Sequence, residues 1–134
     1  EMINGDWSSD VCSSDLVLEA KIRLKEGDQE AIRERMKELT IQRTTKQPLE
    51  YPSAGSTFKR PEGYFAGKLV MDSGLRGYQV GGARISEKHC GFVINAGDAT
   101  AKDVRTLMDN VRDIVYEKYG VTLEPEVKFL GEFD

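Results

Sequence analysis

The residues from Thr100 to Tyr119 constrain the fold more than any other stretch. Val104, Leu107, Met108, Val111, Ile114 and Val115 recur at helical spacing and form one apolar stripe. Thr100 followed by Asp103 has the pattern of a capping box, and Gly120 falls where a helix stop is expected. A helix with one apolar stripe gains its stability by burying that stripe, so another layer must cover it.

The remaining periodic segments suggest what that layer is. "LVLEAKIRL", Leu16 to Leu24, alternates Leu18, Ala20, Ile22 and Leu24 with Glu19, Lys21 and Arg23, the pattern of a half-buried strand. Asp28 can cap a helix carrying Ile32, Met36 and Leu39 at helical spacing and ending near Arg43. From Thr44 to Pro61 no period is sustained, and the segment reads as a long loop. "YFAGKLVMDSGL" places Phe65, Leu69 and Val70 on one side of a short helix stopped by Gly74 or Gly77. "GYQVGGARIS" and "GFVINAG" read as two strands joined through "EKHC", and a last strand is expected at Val127 to Leu130. The order β, α, loop, α, β, β, α, β predicts an α+β fold, with helices packed on a small, mostly antiparallel sheet.

A chain of 134 residues holds one ordinary domain with a modest core. Its 39% hydrophobic and 31% charged residues suit a soluble globular protein, and no apolar run approaches the roughly eighteen residues of a membrane span. A formal charge of -4 argues against a broad nucleic-acid surface but permits a local basic pocket for an anion. Two cysteines make neither a disulfide framework nor a metal-ligand pattern, and Cys90 reads as a small buried residue.

The opening stretch "WSSDVCSSDL", Trp7 to Leu16, stands apart from the rest. It lacks the basic start and apolar run of a secretory signal. Its Ser and Asp content suits a disordered leader. Back-translated as TGG AGT TCA GAC GTG TGC TCT TCC GAT CT, it resembles a sequencing-library adapter. Residues 1–16 are therefore expected to be an artefactual or disordered leader making few contacts with the rest.

Three places could carry chemistry. In "PSAGSTFKRP", Gly55 permits a sharp turn beside Ser56, while Lys59 and Arg60 set two cations next to exposed amides and a hydroxyl, an arrangement suited to an anion or to a plain solvated turn. In "QVGGARIS", the pair Gly81-Gly82 weakens a strand unless a ligand or a packed helix approaches the backbone closely. Glu126, after Pro125, opens the last expected strand and reads locally as a solvated strand end. His89 is the only histidine and Ser56 sits in no nucleophile elbow, so a serine hydrolase is poorly supported; His89 reads as a hairpin residue.

In order along the chain, "RTTKQPLEYPSAGSTFKRP", "GLRGYQVGGARISEKHCGFVIN" and "LEPEVKFLG" resemble the carboxy-terminal part of the UDP-N-acetylenolpyruvoylglucosamine reductase family. The resemblance implies reduction of a UDP-sugar enolpyruvyl ether by NADPH through bound FAD, in cytoplasmic peptidoglycan synthesis. It implies Ser56 as the donor of a proton to the substrate and Glu126 as its partner acid. Lys46, Lys59, Arg60, Gln79, Gly81 and Gly82 are expected to bind substrate. At Arg60 some relatives carry an asparagine. The family's flavin-binding glycine motif and catalytic arginine match nothing here, so the chain reads as a fragment that binds little FAD by itself.

On this reading residues 17–43 are the end of the flavin-binding region or a linker strand and helix, and residues 44–134 form the substrate-binding domain. Ser56 and Glu126 should meet at one cleft, with Lys46 at its rim and Gly81-Gly82 as a wall. Metal, nucleic acid and membrane are not expected as partners. A non-catalytic anion or nucleotide-sugar binding module around Lys46, Lys59 and Arg60 is the alternative, and mere surface decoration of a small α+β domain is a third possibility.

Overall fold

A computed structural model describes residues 19–131. Its helices are α1 (Gln29–Lys46), α2 (Ala66–Asp72) and α3 (Ala101–Tyr119), and its strands are β1 (Ser53–Ser56), β2 (Gln79–Val80), β3 (Ala83–Ile85) and β4 (Phe92–Asn95). The strands form one antiparallel sheet in the order β1-β4-β3-β2. This is the α+β architecture that the sequence predicts.

Helix α3 forms as its sequence requires. The Thr100 hydroxyl accepts from the Asp103 amide at 3.1 Å, and the Asp103 carboxylate accepts from the Thr100 amide at 2.9 Å. Two donors that the first turn would leave unpaired are thus satisfied. At the other end Gly120 takes the left-handed conformation that stops the helix. Leu107, Met108, Val111 and Val115 are fully buried, and the helix lies on β2 and β3. Val104 and Ile114 flank them, partly buried. Burial stabilises each large side chain by about 1.5–3 kcal/mol, which fastens the helix to the sheet. Leu69 and Val70 of α2, with Phe58, Leu75, Ile85, Val93 and Leu123, complete the same core.

"GYQVGGARIS" forms a hairpin instead of the single strand its β-branched residues suggest, with Gly81-Gly82 between β2 and β3. The physical demand at Gly82 is space. A Cβ there would lie 2.0 Å from the Gly97 carbonyl oxygen and 2.5 Å from the Ala99 amide nitrogen. Of the two causes expected for this glycine pair, the packed helix is present at Gly81, where a Cβ would lie 2.5 Å from the Asp103 side chain of α3, and the loop leading into α3 crowds Gly82.

Other expectations change. No strand covers Glu19 to Leu24, where Ile22 is 80% and Leu24 82% exposed; the start of that segment lies outside the described residues. Alternation supplies a period, but a strand also needs a neighbour for its backbone groups, and none of the described residues provides one. Helix α1 starts at the expected Asp28 cap, whose side chain accepts from the Ala31 amide at 2.8 Å, but it continues past Arg43. None of its residues is buried. The expected loop from Thr44 to Pro61 contains the last turn of α1 and all of β1. The expected strand at Val127 to Leu130 does not form. That stretch is preceded by a single antiparallel bridge between Phe58 and Pro125. Cys90 is buried as expected, and removal from water pushes its thiol pKa up. The leader expected at residues 1–16 lies outside the described residues.

Candidate functional site

The site grows from an irregularity at the sheet edge. Ser53 pairs with Ile94 and Ser56 with Phe92, so the register shifts between them. Gly55, with φ +87°, supplies the backbone conformation for that shift. Ser56 emerges at the end of the strand, exposed, while Thr57 turns inward and is buried.

Thr57 then fixes three neighbours. Its amide donates to the Gly91 carbonyl at 2.9 Å, its hydroxyl accepts from the Val93 amide at 2.9 Å, and its carbonyl accepts from the Glu126 amide at 2.9 Å. Lys59 donates its amide to the Glu124 carbonyl at 2.8 Å, so the segment holding Glu126 runs alongside the residues that follow Ser56. Ser56 and Glu126, distant in sequence, line one cleft of about 470 Å³.

Phe58, Phe65, Ala66 and Met71 give this cleft an apolar side, and Arg60, Lys68, Arg76 and Lys88 surround it with cations. Glu126 is the carboxylate among its lining residues. Lys68 donates to the Asp72 carboxylate at 2.9 Å, and that hydrogen bond, with the carboxylate charge, raises the ammonium pKa. Arg76 donates to the Glu87 carbonyl and approaches the Met71 sulfur at 3.1 Å. Lys88 donates to the Thr44 carbonyl at 2.7 Å, joining the end of α1 to this face. His89 sits on the β3–β4 connection as expected, yet it also lines the cleft; its Nδ1 accepts from the Gly91 amide at 3.0 Å. Such a lining attracts an anion that has an apolar portion.

Of the expected site residues, the fold brings Ser56, Arg60 and Glu126 together. Lys59 lines a neighbouring cavity of about 370 Å³, where it pairs with Glu124 at 3.2 Å. Lys46 ends α1, outside the lining of the cleft. Gln79, Gly81 and Gly82 lie on the β2–β3 hairpin at the opposite edge of the sheet from β1. The Gln79 side chain donates to the Gly81 carbonyl at 2.7 Å, closing the turn on itself. Glu126 is exposed among the described residues. Lys68, Arg76 and Lys88 were not legible as site residues, because each lies in a segment whose local pattern explains it as a solvated cation.

The fold and cleft define an α+β domain with a cationic, half-apolar cleft at one sheet edge. The chain belongs to the family described as UDP-N-acetylenolpyruvoylglucosamine reductase, C-terminal domain, whose family model matches residues 47–130. It is 70% identical over 116 residues to the UDP-N-acetylenolpyruvoylglucosamine reductase of Lachnoclostridium phytofermentans, covering 87% of this chain and 37% of that protein. It is 62% identical over 118 residues to the reductase of the same name from Agathobacter rectalis, covering 88% of this chain and 38% of the relative. Among solved structures, the UDP-N-acetylenolpyruvylglucosamine reductase of Thermus caldophilus matches with a TM-score of 0.63 and 42% identity, over 78% of this chain and 37% of that one. The chain thus spans well under half the length of these relatives.

Proposed function

We propose that this chain supplies the substrate-protonating part of a reductase that converts a UDP-sugar enolpyruvyl ether to the corresponding lactyl ether in peptidoglycan synthesis. The observation that carries this reading is the meeting of Ser56 and Glu126 at one cation-rimmed cleft. Hydride addition to the terminal methylene carbon of an enolpyruvyl group leaves negative charge on the carbon bearing the carboxylate. That carbon then needs a proton donor within hydrogen-bond reach. Ser56, exposed at the end of β1, is the proposed donor, and Glu126 is the proposed partner acid that stabilises the enol-like intermediate. Arg60 offers its guanidinium to the substrate carboxylate or diphosphate.

FAD and NADPH enter this reading through the family, and bound flavin would supply the hydride. The described residues do not fit the holding of a flavin: they contain no glycine-rich dinucleotide loop, and the apolar side of the cleft is the short one made by Phe58, Phe65, Ala66 and Met71. What this chain contributes is the substrate side of the reaction. The substrate-binding roles expected of Lys46, Lys59, Gln79, Gly81 and Gly82 are not included in the proposal, since these residues do not share the cleft. A cytoplasmic location belongs to the same proposal; among the described residues no helix is long and apolar enough to cross a membrane.

The cationic rim also favours a second reading, a non-catalytic anion or nucleotide-sugar binding module. Stopped-flow absorbance of the flavin, in a full-length reductase carrying this chain, separates the two. Ser56→Ala should leave flavin reduction by NADPH intact and slow its reoxidation by the enolpyruvyl substrate. Equal loss in both half-reactions would make Ser56 structural, and no loss in either would favour the binding module.

A further inference from the structure

Phe65 is an odd residue for its place. It stands at the N-cap of α2, where Ser, Thr, Asp or Asn would accept a bond from the first turn, and it makes no such bond. Nor does it serve the core, since it is 59% exposed. Its ring instead lies under the Arg60 guanidinium, with the Arg60 Cζ 4.0 Å from the ring centroid.

Arg60 has two places to go. It lines both the cleft of Ser56 and Glu126 and the adjoining cavity of about 370 Å³. That second cavity is lined by the carboxylates of Glu62 and Glu124, the latter paired with Lys59. Phe65 lines only the first. A ring face attracts a guanidinium through its quadrupole and leaves the N–H edges available to a ligand.

We propose that Phe65 is a positioning residue that holds Arg60 on the cleft, in place of the neighbouring cavity that carries Glu62, so that the guanidinium meets an anionic ligand such as a diphosphate. The inference rests on the proposed reading of this cleft as a substrate site. It assigns to an exposed aromatic a role in affinity that neither capping nor packing gives it.

The test uses the full 134-residue chain with inorganic diphosphate as probe, read by calorimetry, together with the NMR signal of the Arg60 Nε–H. Phe65→Leu keeps the apolar bulk but loses the π face; Phe65→Tyr keeps both. Phe65→Leu should weaken diphosphate binding about two- to five-fold, and Phe65→Tyr should restore it. In an Arg60→Ala background Phe65→Leu should have no further effect. The ring-current shift of the Arg60 Nε–H should vanish in Phe65→Leu and persist in Phe65→Tyr. Unchanged affinity in Phe65→Leu, or an equal loss with Arg60 already removed, would overturn the proposal. So would a wild-type chain that binds no diphosphate, an outcome that leaves the Ser56 reading to be judged by flavin reoxidation.

Discussion

The amide of Glu126 donates to the carbonyl oxygen of Thr57 at 2.9 Å, which places the proposed acid one backbone hydrogen bond from the residue next to the proposed proton donor. The separation of Ser56 and Glu126 is therefore set by main-chain geometry and does not depend on a side-chain contact between them. Thr57 is the shared fixture, and its hydroxyl is the replaceable part.

Thr57→Val keeps the shape of that side chain but leaves the buried Val93 amide without its acceptor. An unsatisfied buried donor costs about 1–3 kcal/mol. Urea unfolding should show a loss of that size, and Thr57→Ser, which retains the hydroxyl, should lose less. An unchanged midpoint in Thr57→Val would show that the hydroxyl does not fix the β1–β4 junction.

Gly82→Ala should destabilise the chain by about 3 kcal/mol, because the new methyl would overlap backbone atoms of Gly97 and Ala99, which cannot rotate away. Thermal unfolding measures this. Gly74→Ala is the control: its Cβ would meet no atom within 4 Å, so its cost should be limited to that of a positive φ.

The α3 cap predicts a pH effect. The Asp103 carboxyl pKa is lowered from 3.8, first by the Thr100 backbone amide, then by the Thr100 hydroxyl, with burial opposing and the Gly82 amide adding the least. A depressed carboxyl pKa contributes stability at pH above its unfolded value and loses it as pH falls through the folded one. Asp103→Asn should therefore be less stable than the parent at pH 7, and the gap should begin to close below about pH 4 and shrink further as pH falls through the lowered folded value. A gap of constant size from about pH 7 down to about pH 2.5 would mean the carboxylate charge is irrelevant to the cap. Thr100→Ala, which deletes the other half of the box, should cost about 1 kcal/mol.

Cys90 should react slowly. Burial raises its thiol pKa above 9.0, with only partial opposition from Arg76, so little thiolate is present near neutrality. In a Cys12→Ser variant, alkylation by iodoacetamide should be slower in the native chain than in urea, and its rate should climb at higher pH than that of the unfolded thiol. Equal native and unfolded rates would place the sulfur in free contact with solvent.

Helix α3 was legible because everything that makes it is local: stripe, capping box and terminal glycine lie within about six turns of chain. Strand β1 was not, since "SAGS" has no β-branched or aromatic residue and becomes a strand only by pairing with β4. The apolar alternation from Leu18 to Leu24 failed in the opposite sense, presenting a strand's period where Ile22 and Leu24 are exposed. In the site, the turn at Gly55-Ser56 with Lys59 and Arg60 stands out locally as suited to an anion or a plain solvated turn, and family resemblance gives Ser56 and Glu126 their catalytic roles, Glu126 reading locally as a solvated strand end. Lys68, Arg76 and Lys88 were missed because their convergence depends on how α2, the α2–β2 connection and the β3–β4 connection fold toward β1. Gln79, Gly81 and Gly82 lie far from the cleft because β2 and β1 are opposite edges, an order that no local pattern encodes.

The register shift at Gly55 has a second effect, on association between molecules. An edge strand with free backbone groups is a template on which another chain can pair, and the hazard grows with a long, flat, regular edge. Strand β1 is an edge of four residues, interrupted by an irregularity and by a glycine with positive φ, and β2 at the other edge has only two residues. Neither edge offers an incoming strand a run of evenly spaced partners. The backbone distortion that presents Ser56 to the cleft thus also guards the sheet against growth into aggregates.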